Sequence, residues 1–100
     1  MVKHIILWDH LPEISTEEKA ENAAKIKSSL EGLVGVIPGL LSLQVHSEML
    51  PGSNADIVLY SEFENYEALK VYQDHPAHVK AATEIVRPNV TNRRCADFEL

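Results

Sequence analysis

The stretch Val2-Lys3-His4-Ile5-Ile6-Leu7-Trp8 is apolar on both faces of an extended chain, with Ile5 and Leu7 on one side and His4, Ile6 and Trp8 on the other. A strand of that kind is covered twice. Downstream, Ser15-Thr16-Glu17-Glu18 has the capping-box pattern, in which Ser15 accepts from the Glu18 amide while the Glu18 side chain reaches back. Ala20, Ala23, Ile26, Leu30, Leu33 and Val34 then recur at helical spacing, predicting a long helix that ends near Gly35, with Glu21 and Lys25 as an exposed pair on it. Pro38-Gly39 marks a turn, and Leu41, Leu43 and Val45 alternate with Ser42, Gln44 and His46 in a second strand. After the turn-rich Pro51-Gly52-Ser53-Asn54, a third strand from Asp56 to Phe63 should lie antiparallel to the second. Asn65 can cap a helix through Tyr66, Leu69 and Tyr72. This helix breaks at His75-Pro76, restarts with Pro76 in its first turn and runs through Val79, Ala82 and Val86 to Pro88. Arg93 to Leu100 reads as the last strand.

Strand, helix, strand, strand, helix, strand is the split β-α-β, ferredoxin-like order, an α+β fold whose four-stranded antiparallel sheet carries both helices on one face. The chain has 100 residues, enough for one domain spanning 1–100. Two helices cover only one face. The second apolar face of the first strand, assigned to His4, Ile6 and Trp8, must therefore bury itself against another copy, and two such sheets meeting about a twofold axis close a dimeric α+β barrel. An obligate homodimer is expected.

Composition excludes several partners. Net charge is −6, so there is no basic footprint for nucleic acid or for an anionic membrane. The apolar run Ile5 to Trp8 is too short for a signal core, and Leu33 to Leu41 is broken by Gly35, Pro38 and Gly39, so no membrane span is expected. The single cysteine, Cys95, rules out an intrachain disulfide and makes the cytoplasm the expected location. It reads as a small packing residue, with no histidine near it in sequence. Glycine-rich nucleotide fingerprints and a Gly-x-Ser-x-Gly elbow are absent.

The opening Val2-Lys3-His4-Ile5-Ile6-Leu7, the Ile37-Pro38-Gly39-Leu40 turn, Asp56-Ile57-Val58-Leu59 with Ser61-Glu62-Phe63, and above all Tyr72-Gln73-Asp74-His75-Pro76-Ala77-His78-Val79 resemble the stress-responsive dimeric A/B-barrel family over essentially the whole chain. The resemblance implies a small ferredoxin-like chain forming a tight homodimeric α+β barrel, in some members assembled further. One member type, a plant olivetolic acid cyclase, closes a linear polyketide by aldol condensation, and its tyrosine and histidines fall on Tyr72, His78 and His4. In that light His78 is the general base and Tyr72 the donor to the carbonyl or enolate oxygen. Trp8, His75 and Val79 are candidate ligand contacts. The structural alternative has His78 satisfying a helix-terminal carbonyl, His75 serving the fold and His4 hydrogen-bonded in the core. A further histidine of the cyclase is replaced by Ile57, so substrate specificity does not carry over. Some plant relatives hold magnesium or a similar hard cation on backbone carbonyls, which here would be those of Val34, Ile37 and Leu40. With no carboxylate in that loop, binding would be weak. His75 and His78 share no zinc-site pattern, and no other cofactor is expected.

Two functions of different class follow. The chain is a stable dimeric module whose barrel is filled by side chains or holds a small apolar ligand, or it is a cofactor-free enzyme on a small carbonyl compound, a polyketide aldol cyclase, an isomerase or a monooxygenase-like catalyst. Fold alone does not choose. An open pocket lined by His4, Tyr72 and His78 would favour the enzyme, and a barrel plugged by Trp8 and Phe98 the module.

Overall fold

Strand β1 (Val2–His10) lies at the centre of a four-stranded antiparallel sheet of order β2-β3-β1-β4 in the computed structural model, which describes Met1–Leu100. Helix α1 (Thr16–Glu31) follows it, then β2 (Leu40–His46), β3 (Ile57–Phe63), α2 (Tyr66–Asp74), α3 (Pro76–Ala81) and β4 (Val90–Glu99). Between α3 and β4 the chain makes a π-helical turn, Ala82–Val86, and a 3-10 turn, Arg87–Asn89. The helices cover one face of the sheet, as the element order requires, and no helix is long and apolar enough to cross a membrane.

The core lies between sheet and helices. Ile6, Trp8, Val45, Ile57, Leu59 and Phe63 meet Ile26, Leu30, Leu69, Tyr72 and Val86 there. This reverses the sidedness expected for β1: His4, Ile6 and Trp8 face the helices, while Ile5 and Leu7 look out from the open face. Because β1 is apolar on both sides, its alternation carries no sign, and its neighbours decide. Val2, His4, Ile6 and Trp8 stand in register with Phe63, Ser61, Leu59 and Ile57 of β3, all fully buried or nearly so. Bulky rings such as Trp8 fill the deep, helix-packed side.

Ser15 caps α1 through the expected capping box. The helix stops at Glu31, earlier than the apolar spacing suggests, because Gly32 caps it and the chain then tightens, with Val36 and Ile37 amides both bonding to the Leu33 carbonyl. Gly35 takes a left-handed φ of 87° in that turn. Leu33 nonetheless stays buried while Val34 is exposed. The ion pair on α1 is Lys27–Glu31 at 2.8 Å, not Glu21–Lys25, since Glu31 also accepts the Val45 amide at 3.0 Å and so ties the helix to β2. In β2 an irregular register between Leu40 and Ser42 puts Leu40 inward and leaves Leu41 exposed. Gly39, just before it, has φ 84°, and a Cβ there would stand 2.5 Å from the Ala68 Cβ of α2.

The open face carries Ile5 and Leu7 of β1, Val58 and Tyr60 of β3, and Ala96 and Phe98 of β4, with a polar end where Lys3 pairs with Glu62. Ser42 donates to the same Glu62 carboxylate at 2.9 Å.

Candidate active site

The break between α2 and α3 is built by His75-Pro76. A residue before proline is pushed out of the helical region, and His75 sits at φ −65°, ψ 132°, ending α2, while Pro76 takes the first turn of α3, where its missing N–H costs nothing. Nδ1 of His75 accepts the Ala77 amide at 3.1 Å, so this ring is a helix cap. One turn on, His78 swings back over α2. The last carbonyls of a helix lack intrahelical partners, and that of Gln73 is met by Nδ1 of His78 at 3.2 Å. A carbonyl only accepts, so Nδ1 carries the proton and Nε2 keeps a free lone pair.

Beneath His78 lies Tyr72, 1% exposed, with ring centroids 4.2 Å apart and planes 36° from parallel. Tyr72 also meets Phe63 edge-on at 5.0 Å and His4 at 6.2 Å. The three titratable rings His4, Tyr72 and His78 share one cavity of about 370 Å³ between the sheet and the helical segment that runs from α2 to β4. Its sheet side is His4, Ile6, Trp8, Leu59 and Arg93, and its helical side is Tyr72, Gln73, His78, Ala82, Val86 and Arg87, with Leu30 of α1 closing one end. The π-helical turn widens the backbone where Ala82 and Val86 line the cavity, a place where such turns recur at functional sites.

Electrostatics separate the rings. Burial, with the His4, Arg87 and Arg93 side chains adding to it, holds His78 below the usual histidine range, so its imidazole stays neutral at neutral pH. Burial also pushes the Tyr72 phenol up, which keeps it a hydroxyl donor. His4 is fixed from behind: its Nδ1 faces the carboxylate of Asp97, its cross-strand neighbour on β4, and Ser61 Oγ donates to its carbonyl at 2.9 Å. An acceptor at Nδ1 sets the tautomer and orientation of the ring.

Of the residues singled out from sequence, His4, Tyr72, His78 and Trp8 come together around the cavity. Trp8 is wall, not plug, and Phe98 lies on the opposite face of the sheet. His75 borders only a shallow surface depression with Val71 and Asp74, and Val79 is exposed. Ile57 is fully buried opposite Trp8 and does not line the cavity. The Ile37 carbonyl, one of the three suggested for a hard cation, already accepts the Leu40 amide at 3.4 Å. Cys95 is exposed rather than packed, because β4 is an edge strand. Its Sγ lies 4.0 Å from His4 Nδ1 and 3.5 Å from the Asp97 carboxylate, making with them a set of three potential metal ligands within 4.8 Å. Burial first, and Asp97 second, hold the Cys95 thiol above its ordinary range, against a nucleophilic role. Asp97, Arg87 and Arg93 were not anticipated; only pairing across the sheet or around the π-helical turn brings them to the site.

The Stress responsive A/B Barrel Domain family matches residues 2–100. A protein of unknown function from Bacteroides fragilis, described as dimeric with a ferredoxin-like fold, is 35% identical with a TM-score of 0.89, over 99% of this chain and 95% of that one. A dimeric ferredoxin-like protein from Thermobifida fusca is 23% identical, TM-score 0.79, over 99% and 90% of the two chains. The hydroxynitrile lyase of Passiflora edulis shares the fold at 14% identity, TM-score 0.75, over 97% and 90%. No curated protein sequence matches the chain.

Proposed function

Since the chain belongs to the stress responsive A/B barrel domain family, we propose that it is a homodimeric, cofactor-free acid–base catalyst acting on a small, mostly apolar carbonyl compound held in the cavity. The observation that carries this reading is a His78 ring with Nε2 free, packed on the ring of Tyr72, whose hydroxyl has no protein partner, at an open cavity of about 370 Å³. That size is within the range of small-molecule sites. His78 Nε2 takes the proton from the carbon next to the carbonyl, and the electron pair of the broken C–H bond moves onto the carbonyl oxygen. Tyr72 holds that oxygen by a hydrogen bond. His78 then returns the proton to another carbon in isomerisation; in aldol closure the enolate carbon bonds to a second carbonyl carbon of the substrate, whose C=O electron pair moves onto its oxygen, and that oxygen takes the proton from His78. His4, held by Asp97, supplies a second ring at the same wall.

Dimerisation rests on the half-apolar open face and on relatives described as dimeric. Association through Ile5, Leu7, Tyr60 and Phe98 removes that face from water.

The test is exchange of α-protons in D2O, followed by proton NMR, on ketones and 2-oxo acids of cavity size such as 2-oxo-4-phenylbutanoate. Exchange above the buffer rate should vanish in His78→Ala and fall roughly 10²-fold in Tyr72→Phe. Equal rates for the native chain and His78→Ala would remove the base, and with it the reading.

A further inference from the structure

The cavity wall carries the opposite charge to the protein. The chain has 15 Asp and Glu against nine Lys and Arg, a net −6, yet the cavity is lined by Arg87 and Arg93 and by no carboxylate. Neither guanidinium is in an ion pair, although that of Arg93 also reaches the neutral Cys95 thiol. The ion pairs of the structure employ Lys3, His4, Lys27, Lys70 and Arg94. Both arginines nevertheless bear on the reacting rings, for each disfavours the charged form of His78, and Arg93 also favours the phenolate of Tyr72 against burial.

Two departures from regular backbone aim these side chains. In β4 the register with β1 slips between Leu7 and Asp9, so that Asn92 and Arg93 together stand opposite Trp8. This is a β-bulge, with Asn92 in the left-handed region at φ 53°. Counting from Thr91, opposite Asp9 on the open face, unbroken alternation would send Arg93 outward; the extra residue sends it to the cavity side with Cys95 and Asp97. The bulge is pinned by one carboxylate, Asp9, which accepts from Asn92 at 2.8 Å and from Arg94 at 3.0 Å. Arg87 stands where the π-helical turn gives way to the 3-10 turn, with Pro88 behind it. Irregular backbone thus places an arginine from each side in the wall of one cavity.

Two arginines with no carboxylate partner beside a largely apolar cavity match a carboxylate ligand, which a guanidinium fork grips with two parallel hydrogen bonds. We propose that the cavity binds a small organic acid as its anion, the carboxylate held by Arg87 and Arg93 and the apolar body covered by Ile6, Leu30 and Val86. The inference deepens the acid–base reading above and rests on it only in placing the ligand's carbonyl beside His78.

Benzoate and its neutral amide, benzamide, are the probes, titrated by calorimetry and by NMR of the His78 ring signals. Benzoate should bind roughly tenfold or more tightly than benzamide, and Arg87→Gln or Arg93→Gln should each remove most of that preference. Raising salt should weaken benzoate and leave benzamide unchanged. Both arginines are exposed, so neither variant should alter the melting temperature. Equal affinity for the two probes, with His78 signals moving in both, overturns the anion site and leaves the catalytic reading standing. Benzoate binding that needs both arginines but leaves His78 unmoved supports the anion site and removes the catalytic reading. Binding of neither probe overturns the inference.

Discussion

Replacing Tyr72 by Phe separates chemistry from stability. The Tyr72 ring is 1% exposed and makes its edge contact to Phe63 at 5.0 Å and its stack with His78 at 4.2 Å, both of which Phe retains. Its hydroxyl is influenced only by burial and by the Arg93 charge, with no hydrogen-bond partner in the protein. The hydroxyl opens onto the cavity and not onto a protein partner, so the folded chain bears at most part of the desolvation of a phenol O–H, of order 0.5–2 kcal/mol where compensation is partial. Removing the group should leave stability unchanged or raise it by up to about 1 kcal/mol. For a domain of this size that is an unchanged melting temperature or a rise of about 4–8 °C. Melting curves at pH 7 must be taken at one protein concentration, because dimerisation ties the midpoint to concentration. α-Proton exchange measured on the same samples should fall roughly 10²-fold. A loss of about 1 kcal/mol or more, with exchange intact, would show that the hydroxyl is a structural strut and would refute the reasoning.

Gly39→Val should destabilise by about 1–3 kcal/mol, since it forces a β-branched residue to φ 84° with its Cβ 2.5 Å from that of Ala68; adding Ala68→Gly should recover only the clash, as read by urea denaturation. Leu7→Glu, on the open face, should shift sedimentation toward monomer, whereas Trp8→Ala should cost about 3–5 kcal/mol by opening the core; a dimer untouched by Leu7→Glu would move the interface elsewhere. His78 has a folded pKa below its ordinary 6.5, so the unfolded chain binds this proton first, and stability should decline as pH falls from 6.5 and level off below the folded pKa. His78→Gln should flatten the urea midpoint across that window, and a slope unchanged by the variant would show that His78 is not its source. The lowered carboxylates Asp9, Glu31 and Glu62 lose their contribution at lower pH, as acid falls below their ordinary 3.8 to 4.5.

Element type and order were legible because each rests on local chemistry. Ser15 and Glu18 cap α1 through their own backbone, Pro76 cannot sit inside a helix, and Gly39 alone fits its turn. Family resemblance then located His4, Tyr72 and His78, which do share a cavity. Sidedness was not legible. With Ile5 and Leu7 on one face of β1 and Ile6 and Trp8 on the other, hydropathy gives two equal answers, and the tie is broken only by Ile57, Leu59 and Phe63 of β3, which lie more than 45 residues away. The ends of α1 and β4 were missed for a related reason. Leu33 continues the apolar spacing although its backbone has already left the helix, and Val90 begins a strand that its sequence neighbours Pro88 and Asn89 disguise.

The arginines and Asp97 belong to a third kind of information, which periodicity erases. Alternation along β4 is read by counting in twos, and one residue inserted at Asn92 reverses every assignment beyond it. An outward Arg93 would pair with solvent or with one of the protein's many carboxylates; inward, it lines the same cavity as Arg87. The device that flips it is Asp9, a residue whose carboxylate holds both Asn92 and Arg94 and whose charge is strengthened by them. Asp9 therefore acts on the cavity from the opposite face of the sheet without touching it. A sequence scan for catalytic groups passes over such a residue, because its effect is to decide which way its neighbours point.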